Sequence, residues 1–138
     1  MKRRWYAAIC AATGLVLGHP GVALAHHSFA MFDSSRSLTL KATVVDYQWT
    51  NPHAYLTLLA EDGQGGTKRY TLEMTSINMM HRGGWTSRTV KAGDHVSAVV
   101  APLRDGQAGG LLLELTLPDG KKMSPGVPNA HLFKRTPQ

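Results

Sequence analysis

From Leu38 onward apolar and polar residues alternate along the chain. Leu38, Leu40, Ala42 and Val44 share one face; the phase then flips, and Val45, Tyr47 and Trp49 become the apolar set. Period two predicts a strand. A flip within it predicts a bulge, because one extra residue swaps the two faces. Asn51-Pro52 ends this strand, since proline offers no N–H to a ladder and restricts its predecessor. A second strand is predicted over residues 53–60, with Ala54, Leu56 and Leu58 alternating against Tyr55, Thr57 and Leu59. Asp62-Gly63 through Gly66 turns the chain into a third strand near residues 68–74, with Tyr70, Leu72 and Met74 on one side.

Residues 76–82 predict a short helix, with Thr75 or Ser76 to cap its start and Gly83 its end. A tight turn at residues 90–94 leads to a fourth strand, 95–101. Asp105-Gly106 and Gly109-Gly110 are expected to form a loop before the fifth strand, 111–117. That strand carries leucine on both faces, so it should be largely buried. A short last strand, 121–123, follows Asp119-Gly120. The tail after Ser124 contains Pro125, Pro128 and Pro137 and is expected to be irregular.

Five main strands, a long bent first one, and a helix between the third and fourth predict an all-β fold. The expected form is a small five-stranded closed barrel of the oligonucleotide/oligosaccharide-binding (OB) type. An open β-sandwich of the same strands is the alternative. The expected organisation is a signal peptide at 1–25, an N-terminal segment at 26–37, a barrel at 38–123 and an irregular tail at 124–138.

The signal assignment rests on the first residues. Lys2, Arg3 and Arg4 precede an apolar run from Trp5 to Leu17, then Gly18-His19-Pro20, then Ala23 and Ala25 in the A-x-A arrangement of a cleavage site. The run is shorter than the roughly 20 residues that cross a bilayer. Cleavage after Ala25 implies a periplasmic or secreted protein without a transmembrane segment, starting at His26. Charge changes accordingly. Removing the three leading cations leaves twelve basic against nine acidic residues, a net +3 instead of the +6 of the full 138-residue chain. So small and scattered a charge argues against a nucleic-acid partner. Cys10 is the only cysteine and falls in the signal, which excludes disulfides, thiolate catalysis and cysteine-zinc sites from the exported chain.

The stretches Ala25-His26-His27-Ser28-Phe29-Ala30-Met31-Phe32-Asp33, Trp49-Thr50-Asn51-Pro52-His53, Glu73-Met74, Arg82-Gly83-Gly84-Trp85, Lys91-Ala92-Gly93-Asp94 and Pro102-Leu103-Arg104-Asp105-Gly106 together resemble a family of small exported bacterial proteins. That family is classed as a domain of unknown function. The resemblance spans nearly all of the expected mature chain. It implies export and one small β domain, and it carries no activity or catalytic residues.

Candidate chemistry therefore comes from the residues. An α-amine on His26 with its own imidazole makes a chelate, and a further ring nitrogen completes a three-nitrogen site suited to copper. This is a histidine-brace arrangement. His53, after the Pro52 turn at the barrel mouth, is the first candidate for the remote ligand. His81, on the short helix, is the second, and His27 is an adjacent donor. Met74, Met79 and Met80 are soft donors that would favour Cu(I) if they faced the site. The competing interpretation makes His26-His27 an ordinary polar terminus, His53 a turn cap and the methionines core filler.

Glu73 sits mid-strand and has two candidate roles: an ion pair with Arg82, or a partner that orients a ligating histidine. The remaining acids, apart from Glu114, fall in turns or at strand ends. No nucleophile elbow, zinc-protease helix or phosphate loop is present, so an enzyme is not expected. The second functional expectation is a periplasmic adaptor or ligand-binding module. Trp49, Tyr55 and Trp85 would then form a stacking face for an envelope protein or other ligand.

Overall fold

The structure is a computed structural model, and it describes residues 29–134. The expected signal peptide and the pair His26-His27 lie outside the described residues. The elements are β1 (Leu38–Gln48), β2 (Tyr55–Glu61), β3 (Thr67–Glu73), α1 (Ile77–Arg82), β4 (His95–Pro102), β5 (Gly109–Thr116) and β6 (Lys122–Met123). One-turn 3-10 helices flank them at Phe29–Met31 and Ala130–Leu132.

The strands hydrogen-bond in the order β3-β2-β1-β4-β5-β6, and β3 also pairs with β5 in parallel. That last pairing closes the first five strands into a barrel and eliminates the open sandwich. The helix falls between β3 and β4, as the OB arrangement requires.

The predicted phase flip is a bulge. Val44 pairs with Leu58 while Asp46 pairs with Thr57, so Val45 is the extra residue. Before it, Leu40, Ala42 and Val44 point into the core; after it, Tyr47 takes the inner side. A second shift, between Val99 and Val100, sets Glu114 against Val99 but Leu112 against Val100. It explains why leucines occupy both faces of β5: Leu112 and Leu115 join the barrel core, whereas Leu111 and Leu113 belong to a second cluster.

That second cluster was not legible as a core. Phe32, Ala101, Leu111, Leu113, Val127 and Phe133 pack together, with Val99, Leu103 and Ala130 against them. The chain after Ser124, as far as it is described, delivers Val127 and Phe133 to the outside of β4 and β5. The chain before β1 delivers Phe32 to the same place. Each such buried side chain contributes about 1.5–3 kcal/mol of transfer free energy, which holds two otherwise irregular segments on the barrel.

At α1, Ser76 is the N-cap: its side-chain oxygen accepts the Met79 N–H. Thr75 is not the cap. It is buried, and its hydroxyl donates to the Pro125 carbonyl. Met80 and Trp85 are fully buried in the barrel core, and the Trp85 indole N–H donates to the Ser124 carbonyl at 2.8 Å. No helix among the described residues is long and apolar enough to cross a membrane.

Gly109 and Gly110 were expected in a loop but begin β5 and form the seam of the barrel. Gly109 pairs with Thr71 and Gly110 with Leu72, while Gly110 also faces Pro102 on β4. A Cβ on Gly110 would collide with the Ala101 carbonyl oxygen and a Val100 methyl, and one on Gly109 would lie 3.0 Å from the Thr71 oxygen. The strand needs glycine here because two neighbours approach its backbone, so composition misleads when it is taken as a turn signal. Gly110→Ala should destabilise the fold by about 1–3 kcal/mol or more, the cost of overpacking. Urea denaturation measures it; an unchanged midpoint would show that the seam can open at no cost.

Candidate functional site

His53 and Tyr55 are two residues apart in extended chain, so they share a face, and Ala54 between them points into the core. Ala54 and Thr75 continue the β2–β3 ladder beyond its regular end: the Ala54 N–H donates to the Thr75 carbonyl and the Met74 N–H to the Ala54 carbonyl. Tyr55 stands directly opposite Glu73. This register brings the Glu73 carboxylate to the His53 ring, with Nδ1 2.6 Å from Oε1. Both side chains are largely covered, 22% and 16% exposed. Of the two roles foreseen for Glu73, the contact with a histidine is the one formed. Arg82 is exposed on α1 and lines a separate hollow with Asn78 and His81.

Glu73 and Tyr55 line a hollow of about 300 Å³ together with Thr71, Leu103, Gly109 and Gly110. The seam glycines leave room there, because no side chain rises from that part of β5. The chain that precedes β1 forms another wall through Met31 and Phe32. This segment is strapped down by backbone contacts. Phe32 bridges to Leu103, the Asp33 N–H donates to the Pro102 carbonyl at 2.8 Å, and the Arg104 N–H donates to the Met31 carbonyl at 3.0 Å. The Arg104 side chain adds to this: its Nε–H is shared between the Ala30 and Phe32 carbonyls, at 2.9 and 3.1 Å. Sequence reasoning missed this role of Arg104; the apolar residues Phe29, Met31 and Phe32 in an apparent linker were the available signal.

Electrostatics mark two groups here. Burial raises the Tyr55 phenol above the ordinary tyrosine value, and the Glu73 charge raises it further. Asp33, at the end of the strap, is held below the usual carboxylate range by hydrogen bonds from the Ser35 hydroxyl and N–H, then by Arg36 and Arg104.

The other sequence candidates are dispersed. His81 is exposed and has no place in the hollow beside Glu73. His95, which was not a candidate ligand, begins β4 and lines a larger hollow of about 460 Å³ with Leu59 and Glu61 of β2, its Nδ1 3.2 Å from the Thr43 hydroxyl. Met74 and Met80 are sealed in the core, which removes them as ligands, and Met79 sits on α1. Trp85 is also sealed in the core, so it cannot belong to an exposed stacking face. Trp49 packs edge-on against Tyr47, and Tyr55 lines the hollow. Among the described residues no three His, Cys, Asp or Glu side chains converge as a metal site. Within those residues the structure supplies one oriented imidazole and its carboxylate.

A family model described as a family of unknown function (DUF6152) matches residues 15–114, a span that includes His26, His53 and Glu73. Comparisons with curated proteins and with solved structures give no match.

The Tyr55 shift offers a direct check of this geometry. A raised phenol value means that folding favours the neutral form; its contribution is complete below the ordinary tyrosine value and is lost as pH rises through the folded one. Glu73→Gln removes one of the two causes, so Tyr55 should ionise at lower pH than in the wild type while staying above the ordinary value. Ring-carbon NMR titration resolves this, and an unmoved Tyr55 titration would place Glu73 too far from the phenol.

Proposed function

Because the chain belongs to this family of unknown function, its role has to come from its own residues, and we propose that it is an exported β-barrel that binds copper through its processed N-terminus. In this reading cleavage after Ala25 exposes the His26 amine. That amine and the His26 imidazole chelate the ion, and His53 supplies the remote ring nitrogen. His27 is an alternative donor beside them. The role is metal handling in the periplasm, with no turnover.

The observation that carries the reading is the Glu73–His53 contact at 2.6 Å. A carboxylate on one ring nitrogen fixes the orientation of an imidazole and raises its basicity, the usual arrangement behind a ligating histidine. It leaves Nε2 as the nitrogen for the ion. The strap supports the same reading. Met31 lines the hollow that Glu73 also lines, and it follows His26 by five positions. Five extended residues span at most roughly 17 Å, so the chain can carry a terminus beginning at His26 no farther than that from Met31. A tether of that length gives the second ligand a high local concentration, on the order of millimolar.

The adaptor reading keeps less support. With Trp85 in the core, the exposed apolar residues of this region are Met31 in the hollow, and Phe29 and Leu132 where the two terminal segments meet.

Residues 26–138, prepared with a free His26 amine, should bind Cu(II) with a nitrogen-rich paramagnetic resonance spectrum. One added N-terminal Met, or His53→Ala, should weaken binding by about tenfold or more, at least 1.4 kcal/mol. Unchanged affinity in the Met-extended chain would defeat the N-terminal site. Intact mass of the exported protein checks the premise, because a first residue other than His26 removes the chelating amine.

A further inference from the structure

We infer that the hollow beside Glu73 is a binding site for a small primary amine, held as its ammonium ion with its apolar body against Met31, Phe32 and Leu103. The inference goes beyond the copper reading and does not rest on it.

The lining divides by chemistry. β2 and β3 supply oxygen: the Glu73 carboxylate, the Tyr55 phenol and the Thr71 hydroxyl. Register gathers these three, since Tyr55 stands opposite Glu73 and Thr71 is two residues earlier on the same face of β3. The strap before β1 and the chain after β4 supply carbon through Met31, Phe32 and Leu103. Met31 is 48% exposed and belongs to neither apolar cluster, although its carbonyl accepts from the Arg104 N–H. A fixed backbone thus holds an adaptable apolar side chain open to the hollow, where it suits contact with a ligand. Glycine keeps the space between the two sides free: a Cβ on Gly109 would lie 3.0 Å from both the Leu103 side chain and the Thr71 oxygen.

Charge selects the sign of the ligand. Among the described residues that line the hollow, Glu73 alone carries a formal charge. Arg104 anchors the strap but lines a different hollow, with Phe29 and Leu132. The His53 ring engages Oε1 of Glu73 and is not part of the lining, and Oε2 has no side-chain partner among the described residues. Burial, and then the Glu73 charge, raise the Tyr55 phenol above its ordinary value, so the phenol keeps its proton and adds no second charge.

The donor count then favours a primary amine. An ammonium group carries three N–H donors, which three oxygen-bearing side chains can accept. Its bond to the carboxylate is charge-assisted. A quaternary ammonium would leave those oxygens unpaired, and an anion would meet Glu73. The hollow of about 300 Å³ corresponds to about ten waters at roughly 30 Å³ each, which limits the ligand to a small free molecule.

The probe is benzylamine, added at neutral pH to the purified protein kept metal-free with EDTA, beside benzyl alcohol and benzoate. Side-chain NMR reads binding. The Met31 methyl and Tyr55 ring signals should shift saturably with benzylamine, while the Met79 methyl on α1 stays still. Benzyl alcohol should bind at least about tenfold more weakly, and benzoate should give no saturable shift. Glu73→Gln should weaken benzylamine about tenfold and remove its advantage over the alcohol. Thr71→Val keeps Glu73 and its His53 contact, should weaken benzylamine about threefold, and stands as the test if Glu73→Gln does not fold. Equal affinity for amine and alcohol, undiminished binding in either folded variant, or no saturable shift would overturn the amine site. Each of those results leaves the copper reading standing, because no metal takes part.

Discussion

Closure of the sheet between β3 and β5 is the constraint on which the rest of the molecule depends. An open five-stranded sheet of this length would expose the leucines of β5 and leave unpaired strand edges. Closing it requires β5 to pass between β3 and β4 at a point where both neighbours come within contact of its backbone. Only residues without a Cβ fit, and Gly109-Gly110 supply them. The same two residues that let the barrel close then leave a depression on its outer wall. The hollow beside Glu73 and Tyr55 is thus a by-product of closure, located where the sheet has least side-chain volume.

The terminal segments complete this region. Among the described residues neither has a helix or strand beyond a single 3-10 turn, yet both are fixed by apolar anchors, Phe32 from one side and Val127 and Phe133 from the other. Arg104 fastens the first segment through backbone carbonyls, which makes the contact indifferent to the side chains it spans. One wall of the hollow therefore comes from chain that precedes the barrel. That connection joins the fold to the proposed chemistry: Met31 and Phe32, from the chain before β1, line the same hollow as Glu73.

Much of the architecture was legible because strand periodicity is a local signal. The bulge at Val45 could be read from the switch of apolar phase, and the helix between β3 and β4 from its cap and terminating glycine. The errors came from contacts between distant residues. Gly109-Gly110 was taken for a loop because a glycine pair usually marks one, and only the approach of Thr71 and Ala101 gives it another meaning. The tail was expected to be irregular, and sequence alone does not show that Val127 and Phe133 fill a cluster with Phe32. At the site, Glu73 stood out as a mid-strand acid, and His53 as the histidine after a proline turn. Their contact depended on register, which sequence does not fix. Met74 and Met80 were misleading for a related reason: a methionine on a short helix or strand end is exposed or buried according to what packs over it.

The central claim is that one ion is shared between the processed terminus and the barrel. It is tested most directly by the imidazole NMR spectrum of residues 26–138 during addition of substoichiometric Cu(II), whose unpaired electron broadens nearby nuclei. The account predicts that the His26 and His53 rings broaden together, with Tyr55 following and His81, His95 and His131 unaffected. Broadening confined to His26 and His27, with His53 still sharp, would contradict it.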